Sequence, residues 1–362
     1  MTVRYVGFLA EQSGYGEAAR RHLLALARSG VPVRGSSVTL NDDGSPRECL
    51  PSTAHREVRR LTFRKGAYDT VVVHTPPPQF TALRDAAKKN IGVAAWETRD
   101  VPAGWSAELE RMDEIWVPSR FCQKAFQRGT KRPVHVVPHP VDTRPPGPRG
   151  LPEIPPDVFL FVSIMEWSDR KNPDGLLRAF LEAFRGRRDV ALLIKAGLRF
   201  VPDPERIVRY VRRLAGKRGP TIYLNFDDLS DGALVRLLRR ADAYVSLHRA
   251  EGFGLTLAEA MACGVPVVAT AYSGNLDFMD RESAFLVECR MVPVRQTWTR
   301  IAWFDRGAEW AEPSLDAAVS ALRECFDSPS RRGQIAESGQ RRVASQLSSE
   351  AIGARMRALL RA

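Results

Sequence analysis

The first half of the chain alternates short apolar runs with stretches of helical period. VRYVGFLA opens as a strand, and the turn SGYG follows it. Next comes EAARRHLLALARSG, whose apolar residues fall on one side and which Gly30 stops. TVVVHT, IGVAAWE, EIWVPS and VHVVPH continue the series. These runs are apolar nearly throughout, as in parallel strands covered on both faces. With helical segments between them, this half reads as doubly wound. Proline and glycine then crowd residues 138–157, PHPVDTRPPGPRGLPEIPPD, which neither a helix nor a central strand tolerates. The interdomain linker is expected there. The pattern restarts with VFLFVSI, ALLIKA, TIYLNF, AYVSLH and VPVVAT, again with helices between. The expected division is residues 1–145, residues 146–340, and a helical stretch 341–362 that packs back on the first domain.

In open parallel α/β sheets, ligands bind off the carboxyl ends of the strands. That rule selects Gly14, Gly16, His74, Glu97 and His139 in the first half. In the second it selects Glu166, Lys195, Asp227, His248 with Glu251, and the turn AYSGN. Two such crevices facing each other would enclose a cleft.

The most informative stretch is HRAEGFGLTLAEAMACG, residues 248–264. Gly252 and Gly254 flank Phe253, a helix is expected from about Leu255, and Gly264 ends it. The N–H groups of Phe253, Gly254 and Leu255 can hold a phosphate at the helix start. Glu251 and Glu259 would repel phosphate, but carboxylates accept hydroxyl hydrogen bonds well. A ligand with a diphosphate between two sugars resolves the conflict. Glu251 then holds a hexose and Glu259 a ribose, and the ligand is a nucleotide sugar. The plainer alternative is a loop glutamate and a helix glutamate in salt bridges. Arg170 and Lys171, just after the first strand of the second half, supply positive charge for the diphosphate, and Lys195 is a second candidate. The glycines of SGYG allow a close backbone approach in the first half, or simply a tight turn.

Charge narrows the partners less. The net charge is +12, mostly from arginine. Nucleic acid, an anionic membrane or a phosphorylated ligand could each exploit it. ERIVRYVRRLAGKRG, residues 205–219, sets Ile207, Val211 and Leu214 against four arginines. It reads as a membrane-surface helix or as an ordinary surface helix. No nucleic-acid motif is present, so nucleic acid is not an expected partner. Five scattered cysteines without metal-ligand spacing point to free thiols in a cytoplasm. The opening apolar run is too short for a secretory leader. A peripheral contact with the inner membrane face stays open.

EGFGLTLAEAMACGVPVVAT resembles the Glu-x7-Glu motif of retaining glycosyltransferases of family 4, which have the GT-B architecture of two Rossmann-like domains facing each other across a cleft. RKNPDGLLRAF, ATAYSGNLDFM, SGYGEAARRHLLAL and VHVVPHPVD carry the same likeness. The resemblance implies metal-independent transfer of a sugar from a UDP-, GDP- or dTDP-sugar to an acceptor hydroxyl, with retained configuration and no cofactor. It implies that Glu251 contacts the donor sugar, Glu259 the ribose, and Lys171 the diphosphate. Gly14 or Gly16 would approach that diphosphate from the acceptor-binding domain, and His74 would lie near the donor sugar. The sequence departs from the family where a Gly-Arg pair is common: SIMEWSDRKN leaves Arg170 to supply that charge. Roles for Glu97 and His139 stay open. The competing readings are a sugar-nucleotide epimerase or phosphorylase on the same architecture, and a non-catalytic basic module.

Overall fold

A computed structural model describes the chain apart from residues 52–54, 144–153, 200, 202, 217–218, 299–300 and 305–306. Half of the expected linker, residues 144–153, therefore lies outside the described residues. The chain forms two compact units, Met1–Asp142 with Ser345–Ala362, and Thr143–Ala344.

Unit 1 begins with β1 (Val3–Gly7), α1 (Gly14–Arg28), β2 (Val33–Leu40), β3 (Pro46–Glu48) and α2 (Arg56–Thr62). It continues with β4 (Thr70–His74), α3 (Phe80–Leu83), β5 (Lys89–Val93), α4 (Ser106–Leu109), β6 (Glu114–Val117), α5 (Arg120–Gly129) and β7 (Val134–Val136). The sheet order is β3-β2-β1-β4-β5-β6-β7. Every pairing is parallel except β2 with β3 at the edge. All five residues of β4 are buried, which is why its sequence shows no alternation. Ser13 starts α1 by accepting the Gly16 N–H on its Oγ at 3.1 Å. Gly30, at φ +84°, stops it.

Unit 2 runs β8 (Phe159–Glu166), α6 (Pro173–Ala183), β9 (Val190–Gly197), α7 (Pro204–Ala215), β10 (Thr221–Asn225), α8 (Asp231–Arg240) and β11 (Ala243–Ser246). Next are α9 (Leu255–Ala262), β12 (Val267–Thr270), β13 (Phe285–Val287), β14 (Cys289–Pro293), β15 (Glu309–Pro313), α10 (Leu315–Asp327) and α11 (Pro329–Gln346). Its main sheet is parallel, in the order β10-β9-β8-β11-β12-β13. The chain builds outward from β8 on one side, then returns to build from β11 on the other. The strand order thus reverses between β8 and β11, the place where Rossmann-type sheets bind ligands. In unit 1 the corresponding reversal falls between β1 and β4. The pair β14–β15 is an antiparallel hairpin outside the main sheet.

Two sequence readings are decided by packing. Ile207 and Val211 of α7 are buried in the core of unit 2, while Arg206, Arg209, Arg212 and Arg213 are exposed. The apolar stripe is covered by the unit's own core, so α7 is an ordinary amphipathic surface helix. The helical stretch 341–362 is not one element: residues 341–346 complete α11, and α12 spans Ser349–Arg361. The break comes at Leu347 and Ser348. The Leu347 carbonyl accepts the Val141 N–H at 2.6 Å, and Ser348 Oγ caps α12 through the Ala351 N–H at 3.2 Å. Ile352, Met356 and Leu360 of α12 enter the core of unit 1. Asp142 accepts both the N–H and the hydroxyl of Ser349, at 2.7 and 2.6 Å. Among the described residues no helix is long and apolar enough to cross a membrane.

Candidate active site

At the reversal in unit 2, the loop after β8 meets the loop after β11. Asn172 makes the first junction. It adopts the left-handed conformation (φ 57°, ψ 53°), which asparagine tolerates better than bulky residues. Its Oδ1 accepts the Gly175 N–H at 3.0 Å and starts α6, and its Nδ2 donates to the Leu247 carbonyl at 2.9 Å. The Arg249 N–H donates to the Arg170 carbonyl at 2.8 Å, zipping the loops together.

This zipper brings Arg170, Lys171 and Glu251 into one ion cluster. Arg170 Nη1 donates to the Ala250 carbonyl at 2.8 Å and to Glu251 Oε2 at 3.2 Å. Lys171 Nζ donates to Glu251 Oε1. Burial of Glu251 opposes its ionisation, but Lys171 and then Arg170 outweigh that cost and bring its pKa down to about 2. Two cations on one carboxylate leave a net charge of one positive unit. Both sides of the Glu251 backbone are pinned: its N–H donates to Ser273 Oγ at 2.8 Å, and its carbonyl accepts the Gly274 N–H at 2.9 Å. Such a carboxylate is fixed in place before any ligand arrives.

The next turn leads into α9. Gly254 has φ +95°, where a side chain is strained, and as N-cap it offers no capping side chain to the first turn. Phe253 is buried, its ring centroid 5.0 Å from that of Phe278, and anchors this turn. Leu257, Ala258, Ala260 and Met261 face the core, whereas Leu255, Thr256 and Glu259 are half-buried along the other side. Tyr244 ties the two glutamates to one neighbourhood. Burial raises its phenol pKa, and the charges of Glu251 and Glu259 add to the rise. Its hydroxyl donates to the Ile164 carbonyl at 3.1 Å and lies 2.9 Å from Thr256 Oγ1. His248 is buried, and desolvation lowers its pKa. It lies within hydrogen-bond reach of Ser246 Oγ, the Tyr272 carbonyl and Asn275 Oδ1, at 3.2 to 3.3 Å, and so secures the loop. Lys195 lies on β9, in register with Ile164 and Asn225.

His74, Gly14 and Gly16 lie at the reversal in unit 1. His74 ends β4, and its Nδ1 is 2.7 Å from the Tyr5 hydroxyl. The rings of His22 and His139 pack beside it, with centroids 5.2 and 6.0 Å from its own. All three imidazoles are buried, and desolvation lowers each pKa, that of His22 to about 4. Among the described residues, no group of three or more His, Cys, Asp or Glu could hold a metal ion. A Cβ on Gly16 would collide with the carbonyl oxygens of Glu11 and Phe8, so local packing already accounts for that glycine. Gly14 has open space where a Cβ would stand.

Sequence reasoning missed Arg249, Asp169 and His22, which hold these side chains in place. Arg249 is the residue before Ala250-Glu251, and only its three-dimensional contacts give it a role.

Two Rossmann-like halves, each a largely parallel sheet with one strand reversal, have the α/β architecture of the GT-B class. Residues 151–292 match the family Glycosyl transferases group 1. It is similar to a D-inositol 3-phosphate glycosyltransferase of Mycolicibacterium smegmatis, 28% identical over 67% of this chain and 61% of that one. The same protein of Mycolicibacterium gilvum is 32% identical over 67% and 60% of the two chains. The chain thus spans about three-fifths of the length of these curated relatives. Among solved structures, sucrose-phosphate synthase from Thermosynechococcus elongatus superposes with TM-score 0.71 at 18% identity, covering 100% of this chain and 98% of that one. Anabaena Alr3699/HepE in complex with UDP-glucose superposes with TM-score 0.67 at 13% identity, covering 100% and 99%. These likenesses carry the GT-B fold.

Proposed function

We propose that the chain is a retaining, metal-independent glycosyltransferase that moves a sugar from a nucleotide-sugar donor to an acceptor hydroxyl. Unit 2 binds the donor and unit 1 the acceptor. The observation that carries this reading is the Arg170–Lys171–Glu251 cluster beside the uncapped start of α9. The donor diphosphate takes the surplus positive charge and the first-turn N–H groups of α9. Glu251, with its cations shared between it and the phosphates, accepts hydroxyls of the donor sugar. Glu259 accepts the ribose diol.

In this reading no enzymic nucleophile is used. The acceptor hydroxyl enters on the face from which the phosphate leaves, and the leaving phosphate oxygen takes its proton. Catalysis is positioning, plus stabilisation of the leaving diphosphate by Lys171, Arg170 and the helix start. His74, at the strand end in unit 1, serves the donor sugar. The five cysteines are not joined in disulfides, which supports a cytoplasmic setting. The UDP-glucose complex of Anabaena Alr3699/HepE and the name of one curated relative make UDP and GDP the first nucleotides to test. GDP-mannose appears in the name of a mannosyltransferase of Corynebacterium glutamicum, 25% identical over 53% of this chain.

The test is thermal stabilisation by UDP, GDP, dTDP and ADP and by their sugars, repeated with Glu259→Ala. One nucleotide should raise the melting temperature of the wild type according to ligand linkage, and the variant should lose most of that shift. Equal shifts in both proteins remove Glu259 from the site. Conversion of the nucleotide sugar with no acceptor present would turn the reading to an epimerase.

A further inference from the structure

The ion cluster is held from behind by an element that lies mostly past the matched family residues. The β14–β15 hairpin begins at Cys289 and ends at Pro313, while the match stops at residue 292. Its contacts converge on Arg249. The guanidinium forks onto Glu312, with Nε to Oε2 at 2.7 Å and Nη2 to Oε1 at 3.2 Å. Nη1 donates to the Asp169 carbonyl at 2.7 Å. Trp310 lies under the same guanidinium, 5.4 Å from ring centroid to charge. The Arg249 carbonyl accepts the Ala311 N–H at 2.9 Å, and its own N–H goes to Arg170. One residue therefore joins β15, the loop bearing Glu251 and the loop bearing Arg170 and Lys171.

A second attachment comes from the hairpin loop. The Trp298 N–H donates to the carboxylate of buried Asp169 at 2.8 Å, and its indole N–H donates to Asp174 Oδ1 at 3.1 Å. The indole packs edge-on against Trp167 and Tyr210, with centroids 5.5 and 5.1 Å away. Asp169 is thus gripped through both its carbonyl and its side chain, one residue before Arg170.

We propose that the β14–β15 hairpin is a brace for the donor-phosphate loop, and that Arg249 is the positioning residue through which it sets Arg170 and Lys171. The proposal rests on the donor reading given above. Arg249 itself does not touch the donor. Its planar fork and carbonyl contact define a position that a lysine ammonium cannot reproduce.

The experiment uses the purified full chain and two variants, Arg249→Lys and Glu312→Gln. Binding of UDP and GDP is compared with binding of uridine and guanosine, and each apo melting temperature is recorded. In the wild type the diphosphate should add strongly to nucleoside affinity. In both variants the diphosphate affinity should fall about tenfold with the nucleoside affinity unchanged. The sign for Glu312→Gln is decisive. Removing a negative charge would strengthen diphosphate binding if Arg249 and Glu312 acted only through the local field. It weakens binding if they act as a brace. Retained diphosphate affinity in both variants, stronger binding in Glu312→Gln, or full rescue by lysine would overturn the brace alone. A wild type that gains nothing from the diphosphate would instead end the donor reading, and this proposal with it. Should Arg249→Lys fail to fold, Glu312→Gln still decides.

Discussion

The strand order of each main sheet reverses once, and the two reversals carry opposite chemistry. In unit 2 the loops bring two cations onto one buried carboxylate and leave positive charge over. In unit 1 they bring together three buried imidazoles and Tyr5, with each imidazole pKa lowered by burial. The topology sets the place in both cases, and the side chains set the use. A charged ligand part suits the first. A neutral, hydroxyl-bearing part suits the second, because uncharged imidazoles can both donate and accept.

The largest test of this contrast is Lys171→Met. It removes a cation from the leaving-group side and leaves Glu251 with Arg170 alone. Release of nucleoside diphosphate from the donor should slow by about 10²–10³-fold, measured by steady-state kinetics. A loss below tenfold would mean that the surplus charge of unit 2 has another purpose.

Acid should separate the units next. His22 binds its proton at about 4 in the folded chain against 6.5 when free, so the unfolded state binds more protons between those values. Its contribution is fully present above pH 6.5 and is lost as the pH falls toward 4. His74 and His139 shift in the same direction. Glu251 is lowered to about 2 from 4.5, so its contribution persists into stronger acid. By His22 alone, unit 1 should lose on the order of 2 kcal/mol at about pH 5 relative to neutrality. Calorimetry should show a low-temperature transition growing in as the pH is lowered, with proteolysis mapping it to unit 1. Simultaneous loss of both units would break the contrast.

The smallest effect is expected from His74→Phe. It keeps a ring among the histidines and removes the polar edge. Turnover should fall about tenfold, within the range of a single positioned hydrogen-bonding group, while nucleotide affinity holds. A matching loss of nucleotide affinity would place His74 on the charged side instead.

Much of unit 2 was legible because its strands are buried on both faces, and continuous apolar runs such as VFLFVSI advertise that. Elements near or outside the sheet margins were not. VRGSSVTL became β2 although its polar residues hide the pattern, and β14–β15 gave no periodic signal, since few of its positions are buried. The glutamate spacing of residues 251 and 259 and the nearby glycines pointed to the candidate site. The pairing of Glu251 with Arg170 and Lys171 did not follow from it. Those contacts span about eighty residues and depend on the left-handed turn at Asn172. Gly16 was legible as a special position, while the reason for it, a collision with two carbonyl groups, required coordinates.

Because α12 belongs to unit 1 but follows all of unit 2 in the chain, the core of unit 1 cannot close in the order in which it is synthesised. On the ribosome its sheet emerges with the seat of Ile352, Met356 and Leu360 still empty and apolar. It stays so until the intervening unit has left the exit tunnel. Unit 1 therefore presents that apolar seat to solvent throughout the synthesis of unit 2, and a fragment ending at Asp142 would present it permanently.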